Sequence, residues 1–179
     1  FTGWELNGTV EYVVTVASRQ LTAGQNAYYL DNRESPDLTL VRGVTYKFIL
    51  DGNTTVVHPF FLTTEDDNSS GFTGENIEGV TGSGTTSGSL TFTPDSSTPD
   101  SLRYRCGTHP GMGGVLNVID INSLPSPASP TITMDADLSL RAKFTIKNHN
   151  LTVLAGSGGT ADGNGTYAYG TDANVTAEP

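Results

Sequence analysis

Short apolar runs separated by polar turn residues dominate the first two thirds of the chain. Within these runs hydrophobic and polar positions often alternate, as in Leu102, Tyr104 and Cys106, whose intervening positions are arginines. This period of two is typical of β-strands with one buried face. Clusters of Gly, Asn, Asp, Ser and Pro end the runs. The pattern predicts an antiparallel β-sandwich with strands at 11–17, 38–41, 44–50, 56–63, 89–93, 102–106 and 115–119.

The same alternation orients two residues with metal-binding side chains. It places Cys106 on the core side at the end of its strand, with Arg105 on the opposite face, and it places His58 on one face with Phe60 and Leu62. The polar, glycine-containing stretch 64–88 lacks this pattern, which predicts an extended surface loop.

The residue composition of the chain changes after residue 121. Residues 124–130 carry a proline at every second or third position, which is typical of a polyproline-like connector. Strands are predicted beyond it at 131–134, 138–146, 151–155 and 173–177. We therefore expect an end strand of a repeat module at 1–9, a sandwich domain at 10–122, a linker at 123–130 and a small β-rich module at 131–179.

Composition and charge limit the classes of partner. The chain has 179 residues and a formal net charge of −10, from 19 acidic and 9 basic residues, which argues against a nucleic-acid ligand. The acidity favours a basic or neutral partner, although solubility alone also accounts for it. No window of 18 uninterrupted apolar residues predicts a membrane span. The start at Phe1 favours a processed product or an excerpt from a longer protein.

One segment concentrates metal-binding residue types. Cys106, His109 and Met112 follow the spacing C-x2-H-x2-M between two predicted strands, and the single cysteine cannot form an intrachain disulfide. A copper ion that shuttles one electron favours a thiolate and two imidazoles in a plane with a long axial thioether. His58 is the histidine upstream of this segment, so the sequence predicts a mononuclear type 1 copper site of His58, Cys106, His109 and Met112.

Other interpretations of these residues stay open. Cys106 could be an inert buried thiol, and His58 could simply be packed in the core. Cys106 could also be a nucleophile paired with His109, although the segment offers no orienting acid. We expect His149 in a solvated turn. The acidic turns at 65–67 and 162–164 could bind calcium, but they lack EF-hand spacing and solvated loops are favoured.

The segment from Cys106 to Met112 resembles the ligand loop of cupredoxins, most closely the short amicyanin-like version. His58 precedes Cys106 by 48 residues, which is similar to the plastocyanin-like separation. The resemblance covers roughly 10–121 and implies an eight-stranded Greek-key sandwich with copper held by the four named residues. The chain departs from that family at Pro59, where members usually carry a residue that braces the copper loop.

The two ends of the chain resemble another family. Residues 132–144 resemble the closing strands of bacterial internalin B-type repeats, and 151–179 look like the opening strands of the next repeat. The strand that would follow is similar to residues 1–4. The resemblance implies one period of a tandem array with the cupredoxin-like domain inserted, and exposed edge strands then predict head-to-tail self-association.

These observations predict an extracellular or cell-surface, non-enzymatic copper protein that passes single electrons to a redox partner protein. Three histidines are too few for the trinuclear cluster of a multicopper oxidase, and Phe1 excludes the N-terminal histidine of a lytic polysaccharide monooxygenase. The alternative is a structural or adhesive repeat or filament protein in which the sandwich is a scaffold. Copper storage or delivery is a third, more distant reading.

Overall fold

A computed structural model describes residues 3–20, 24–68, 70–123 and 138–179. The described chain divides into two compact units, Gly3–Ala142 and Lys143–Pro179, which are treated separately below. Within these ranges no helix has the length and apolar character needed to cross a membrane. The predicted strand at 131–134 and nearly all of the predicted linker lie outside the described residues.

The larger unit consists of strands joined by turns. Its elements, in chain order, are β1 (Gly3–Ser18), β2 (Asn26–Leu30), β3 (Arg33–Glu34), β4 (Leu38–Val41), β5 (Thr45–Leu50), β6 (Phe60–Thr63), β7 (Val80–Thr81), β8 (Gly88–Phe92), β9 (Ser101–Cys106), β10 (Gly114–Ile119), a 3-10 turn (Ile121–Ser123) and β11 (Leu138–Lys143). One sheet has the order β3-β2-β1-β5-β8-β7, with β11 also paired to β1, and the other has the order β4-β10-β9-β6.

The strands of the larger unit form a two-sheet β-sandwich, as the sequence predicts. The pairing is mixed rather than antiparallel throughout, because β1 runs parallel to β5 and β4 runs parallel to β10. Parallel neighbouring strands must be joined by a crossover connection. Between β1 and β5 of the first sheet, the chain passes through β4, which belongs to the second sheet. Alternation of apolar residues cannot distinguish parallel from antiparallel neighbours, so the sequence pattern did not reveal these two pairs.

An aromatic cluster fills the space between the sheets. The ring of Phe60 stacks on Tyr104 at 5.6 Å between centroids and meets Tyr28 edge-on at 5.0 Å. The ring centroid of Phe48 lies 5.4 Å from that of Phe60. All four side chains are fully buried. Because Phe60 pairs with Cys106 across the β6–β9 ladder, this cluster also fixes the position of the cysteine.

Several local predictions differ from the observed elements. The strand predicted at 56–63 begins only at Phe60, because residues from Asp51 onward form hydrogen-bonded turns that leave Val56 and Val57 exposed. The short strand β2 was missed because its residues 27–30 are all buried and show no alternation. The predicted loop at 64–88 contains β7 and the first residue of β8.

Residues 3–9, which the sequence assigns to a repeat module, continue directly into the sandwich. They form the first part of β1, and Leu6 belongs to the same hydrophobic cluster as Val10 and Val14. The assignment of this end and of the smaller unit to a repeat family stays a prediction.

The smaller unit contains two short antiparallel pairs. Strand β12 (Asn148–Leu151) pairs with β14 (Gly165–Ala168), and β13 (Thr160–Asp162) pairs with β15 (Thr176–Glu178). His149 is exposed, but it lies on β12 opposite Tyr167 rather than in the turn that the sequence predicts. The unit also carries large apolar side chains that are more than half exposed: Phe144, Ile146, Leu154, Tyr169 and Val175.

Candidate metal centre

Three side chains bring their donor atoms together, Cys106 and His109 from one loop and His58 from a distant turn. Sγ of Cys106 lies 3.7 Å from Nδ1 of His58 and 3.7 Å from Nδ1 of His109, and the two Nδ1 atoms are 3.1 Å apart. A point equidistant from the corners of this triangle lies about 2.0 Å from each atom, close to the distances at which imidazole nitrogen and thiolate sulfur bind a metal ion. The three residues can therefore hold one metal ion without rearrangement.

Cys106 is positioned by backbone contacts on both sides. It is the last residue of β9 and is completely buried. The next residue, Gly107, donates a hydrogen bond of 2.9 Å to the carbonyl oxygen of Pro59, and the amide of Thr108 donates to the sulfur at 3.3 Å. An N–H group aimed at sulfur stabilises the thiolate, which is the metal-binding form of cysteine.

His58 occupies a buried turn immediately before β6 and is only 5% exposed. Its amide donates to the carbonyl oxygen of Thr55, and its own carbonyl oxygen accepts a 2.8 Å hydrogen bond from the Tyr28 hydroxyl. Burial, and then the proximity of His109, lowers the pKa of His58 below its ordinary value. A lowered pKa keeps the imidazole neutral, as metal binding requires.

His109 differs from His58 because its side chain reaches the protein surface. It lines a shallow surface pocket together with Asn26, Pro110 and Met112. One imidazole of the triangle is thus sealed in the core, and the other offers a path from the site to solvent.

Met112 lies at the end of residues 106–112, which we call the ligand loop. Its side chain is buried, and its carbonyl oxygen accepts hydrogen bonds from the amide of Tyr28 at 3.0 Å and from the hydroxyl of Ser35 at 2.9 Å. These bonds tie the end of the ligand loop to the first sheet. The role of Met112 as a weak fourth ligand stays a prediction.

The acidic turn at 65–67 is not the simple solvated loop that the sequence favours. The side chain of Asp67 is only 11% exposed, and its Oδ2 accepts a 3.0 Å hydrogen bond from the amide of Gly113. Arg105, which the alternation places on the strand face opposite Cys106, is fully buried beside Asp67. The alternating pattern could not predict the burial of either residue, because each is covered by the other's segment, about forty positions away in the chain.

The donor set fits copper by its own chemistry. One thiolate and two imidazoles at the corners of a nearly regular triangle, with a buried thioether on the same loop, are the ligands that copper prefers in electron-transfer sites. Among the described residues, this site has three histidine and cysteine donors within 4.8 Å of one another.

Comparisons with known proteins gave structural likenesses without sequence relatives. No family model matches the chain. No curated protein matches it either. Reduced rusticyanin superposes with a TM-score of 0.39 and 21% identity over 62% of this chain and 79% of that chain. Rusticyanin from Thiobacillus ferrooxidans gives a TM-score of 0.37 and 21% identity, over 62% of this chain and 77% of that one.

A multi-copper oxidase from Pseudomonas thermotolerans gives a TM-score of 0.38 and 13% identity, and covers 64% of this chain but 30% of the oxidase. These values assign neither a family nor a function to the chain, so both rest on the residues described above.

Proposed function

We propose that this protein binds one copper ion through His58, Cys106, His109 and Met112 and carries single electrons to and from a redox partner protein. The observation that carries the proposal is the triangle of donor atoms around a point about 2.0 Å from each. Cys106 would supply the thiolate, the two histidines the imidazoles, and Met112 the weak axial thioether.

The surroundings of the donors support electron transfer over catalysis. Copper, when bound, supplies a centre that gains and loses one electron. The hydrogen bonds that position Cys106 and His58 would hold the donor atoms in one arrangement, which suits a centre that changes only its charge. Met112 and the aromatic cluster around Phe60 are buried, whereas the exposed His109 offers a surface at which a partner would exchange electrons.

A copper titration tests the binding proposal. The wild-type protein is expected to bind one equivalent and to develop an intense blue absorption from thiolate-to-copper charge transfer. Cys106→Ser should abolish that absorption, whereas His149→Ala, which changes the histidine outside the site, should leave it unchanged. A colourless protein, or a blue band that survives Cys106→Ser, would rule out the proposed site.

Voltammetry of the copper-loaded protein tests electron transfer separately. A reversible one-electron couple supports the carrier role. Tight copper binding without a reversible couple would instead favour storage, delivery or a structural use of the metal.

We further infer that the protein acts outside the cell, as part of a surface or filament protein in which copies associate head to tail. The exposed apolar side chains of the smaller unit, among them Phe144, Ile146 and Leu154, support association with a second copy. Both strands of each two-stranded sheet there are edge strands among the described residues.

Light scattering over a range of protein concentrations tests the association. Growth in mass with concentration is expected, and Ile146→Asp should suppress it. A monomer at all concentrations would refute head-to-tail association while leaving the copper proposal intact.

A further inference from the structure

Asp67 connects a distant turn to the ligand loop. It lies after β6, and it contacts the loop and its continuation through two groups. Its Oδ2 accepts a 3.0 Å hydrogen bond from the amide of Gly113, next to Met112, and its carbonyl oxygen accepts a 3.0 Å bond from the amide of Gly111. The loop is therefore held by this aspartate close to both His109 and Met112.

Arg105 fixes the side chain of Asp67 from the other side. Its Nε lies 3.6 Å from Oδ1 of Asp67, and its Nη1 donates a 2.8 Å hydrogen bond to the carbonyl oxygen of Asp66. Its guanidinium also lies 4.6 Å from the ring centre of Phe72. Because Arg105 precedes Cys106 in β9, one buried ion pair joins the start of the ligand loop to its end.

The ion pair between Arg105 and Asp67 is buried, so neither side chain can exchange its partner for water at low cost. The side chain of Arg105 is fully buried and that of Asp67 nearly so, and Oδ1 of Asp67 has no hydrogen-bond partner among the described residues. A buried carboxylate of this kind depends on its ion pair and on its N–H donor, and removal of either partner leaves a costly unpaired charge. The amide of Gly113 and the guanidinium of Arg105 must therefore both keep their positions next to the Asp67 carboxylate.

We propose that Asp67 is a positioning residue for the metal site: it holds His109 and Met112 at the distance from Cys106 that metal binding requires, and Arg105 orients it. Asp67 touches no donor atom in the described contacts and acts through the backbone of the ligand loop. The inference rests on the proposed copper site for its functional meaning. The brace itself is a property of the metal-free protein and can be tested there.

Amide hydrogen exchange in the metal-free full chain tests the brace. Asp67→Ala removes the acceptor of the Gly113 amide, so exchange at Gly113 should accelerate on the order of tenfold. Exchange at Gly111 should change much less, because its acceptor is the backbone of residue 67. Asp66→Ala is the matched control, since the Asp66 side chain is 67% exposed and pairs with Arg103 at the surface.

Copper affinity and the blue absorption test the positioning role. Changes to groups that support metal ligands typically weaken metal binding by about 10- to 100-fold, and we expect a loss in this range for Asp67→Ala. Asp67→Asn should restore the protection of Gly113 and part of the copper affinity, because its side-chain oxygen can accept the same hydrogen bond but carries no charge to pair with Arg105. Asp66→Ala should match the wild type in both measurements.

Asp67→Ala leaves Arg105 buried without its carboxylate, so that variant could fail to fold. The double variant Asp67→Ala, Arg105→Met then replaces it, because an apolar side chain of similar volume avoids the unpaired charge. Unchanged Gly113 exchange and unchanged copper affinity in a folded variant would overturn the inference, as would an equal loss in Asp66→Ala. A wild-type protein that binds no copper would refute the proposed function, whereas the exchange measurement would still decide whether the brace exists.

Discussion

Nδ1 of His58 lies 3.1 Å from Nδ1 of His109, although 51 residues separate the two histidines in the chain. Two imidazolium ions at this distance would repel each other, and both the burial of His58 and the presence of His109 act against the charged form of His58. The approach suits two neutral imidazoles that share one metal ion. The two rings differ in exposure, and this difference has a measurable consequence.

Replacement of each histidine by glycine should give opposite responses to added imidazole. His109→Gly opens a gap at the surface that free imidazole can enter, so the ligand and the blue absorption should be restored. His58→Gly leaves a gap in the buried turn, where His58 is only 5% exposed, and added imidazole should not restore the site. Absorption spectra during an imidazole titration check both. Equal rescue of the two variants would contradict the difference in exposure.

Thr108→Pro should lower the reduction potential of the copper-loaded protein. Proline has no amide hydrogen, so the hydrogen bond from residue 108 to the Cys106 sulfur is lost. The sulfur then donates more electron density to the metal, which favours the oxidised ion. Thr108→Ala keeps the amide and serves as the control, with its potential close to that of the wild type. Voltammetry measures both, and an unchanged potential in Thr108→Pro would show that this bond does not tune the site.

Gly107→Ala should destabilise the protein by about 1–3 kcal/mol, because the added methyl group overpacks the start of the ligand loop. The new carbon would lie 2.6 Å from Cε2 of Phe61, 2.8 Å from the carbonyl oxygen of Phe72 and 3.2 Å from Cγ of Pro59. Gly156→Ala is the control, since a methyl group there meets no atom within 4 Å among the described residues. Urea denaturation of the metal-free variants gives both values. A neutral Gly107→Ala would mean that the loop can move away from Phe61.

Phe60→Ala should reduce the free energy of unfolding by about 3–5 kcal/mol, the usual cost of removing a buried aromatic ring. Its ring contacts Tyr28, Phe48 and Tyr104, and its backbone pairs with Cys106. We therefore expect weaker copper binding as well. Val57→Ala, at a side chain that is 60% exposed, should change stability by less than about 0.5 kcal/mol. Similar values for the two variants would contradict the described core.

Acid should lower the free energy of unfolding partly through protonation of Glu75. Burial raises the pKa of this carboxyl, but hydrogen bonds from Thr63 and Thr64 outweigh that effect and leave the pKa below its ordinary value. A carboxyl with a lowered folded-state pKa stabilises the fold above the unfolded-state pKa, and the contribution disappears as the pH falls through the folded-state pKa.

Unfolding midpoints of wild type and Glu75→Gln should therefore differ at neutral pH and converge in acid. The metal-free protein is suited to this comparison because its metal ligands are then not coupled to unfolding. A difference that stays constant down to strongly acidic pH would show that the carboxylate charge at Glu75 does not stabilise the fold.

The residues nearest to one another in the chain were the most predictable part of the site. Cys106, His109 and Met112 lie on one loop, and their spacing alone indicates a shared metal, because seven residues cannot separate these side chains far. The strand that ends at Cys106 was equally readable, since its alternating apolar positions require one buried face.

The sequence by itself determined the β-rich character of the chain, the ligand loop and the acidic charge, all of which follow from local spacing and composition. Only the tertiary structure decided that β1 and β5 are parallel, that His58 meets the ligand loop from a turn, and that Arg105 is buried against Asp67. The physical reason is that burial and pairing depend on residues brought together from distant positions. An arginine at a polar position of an alternating strand predicts a side chain exposed to solvent. In the folded protein, a distant segment covers Arg105 with a carboxylate and an aromatic ring.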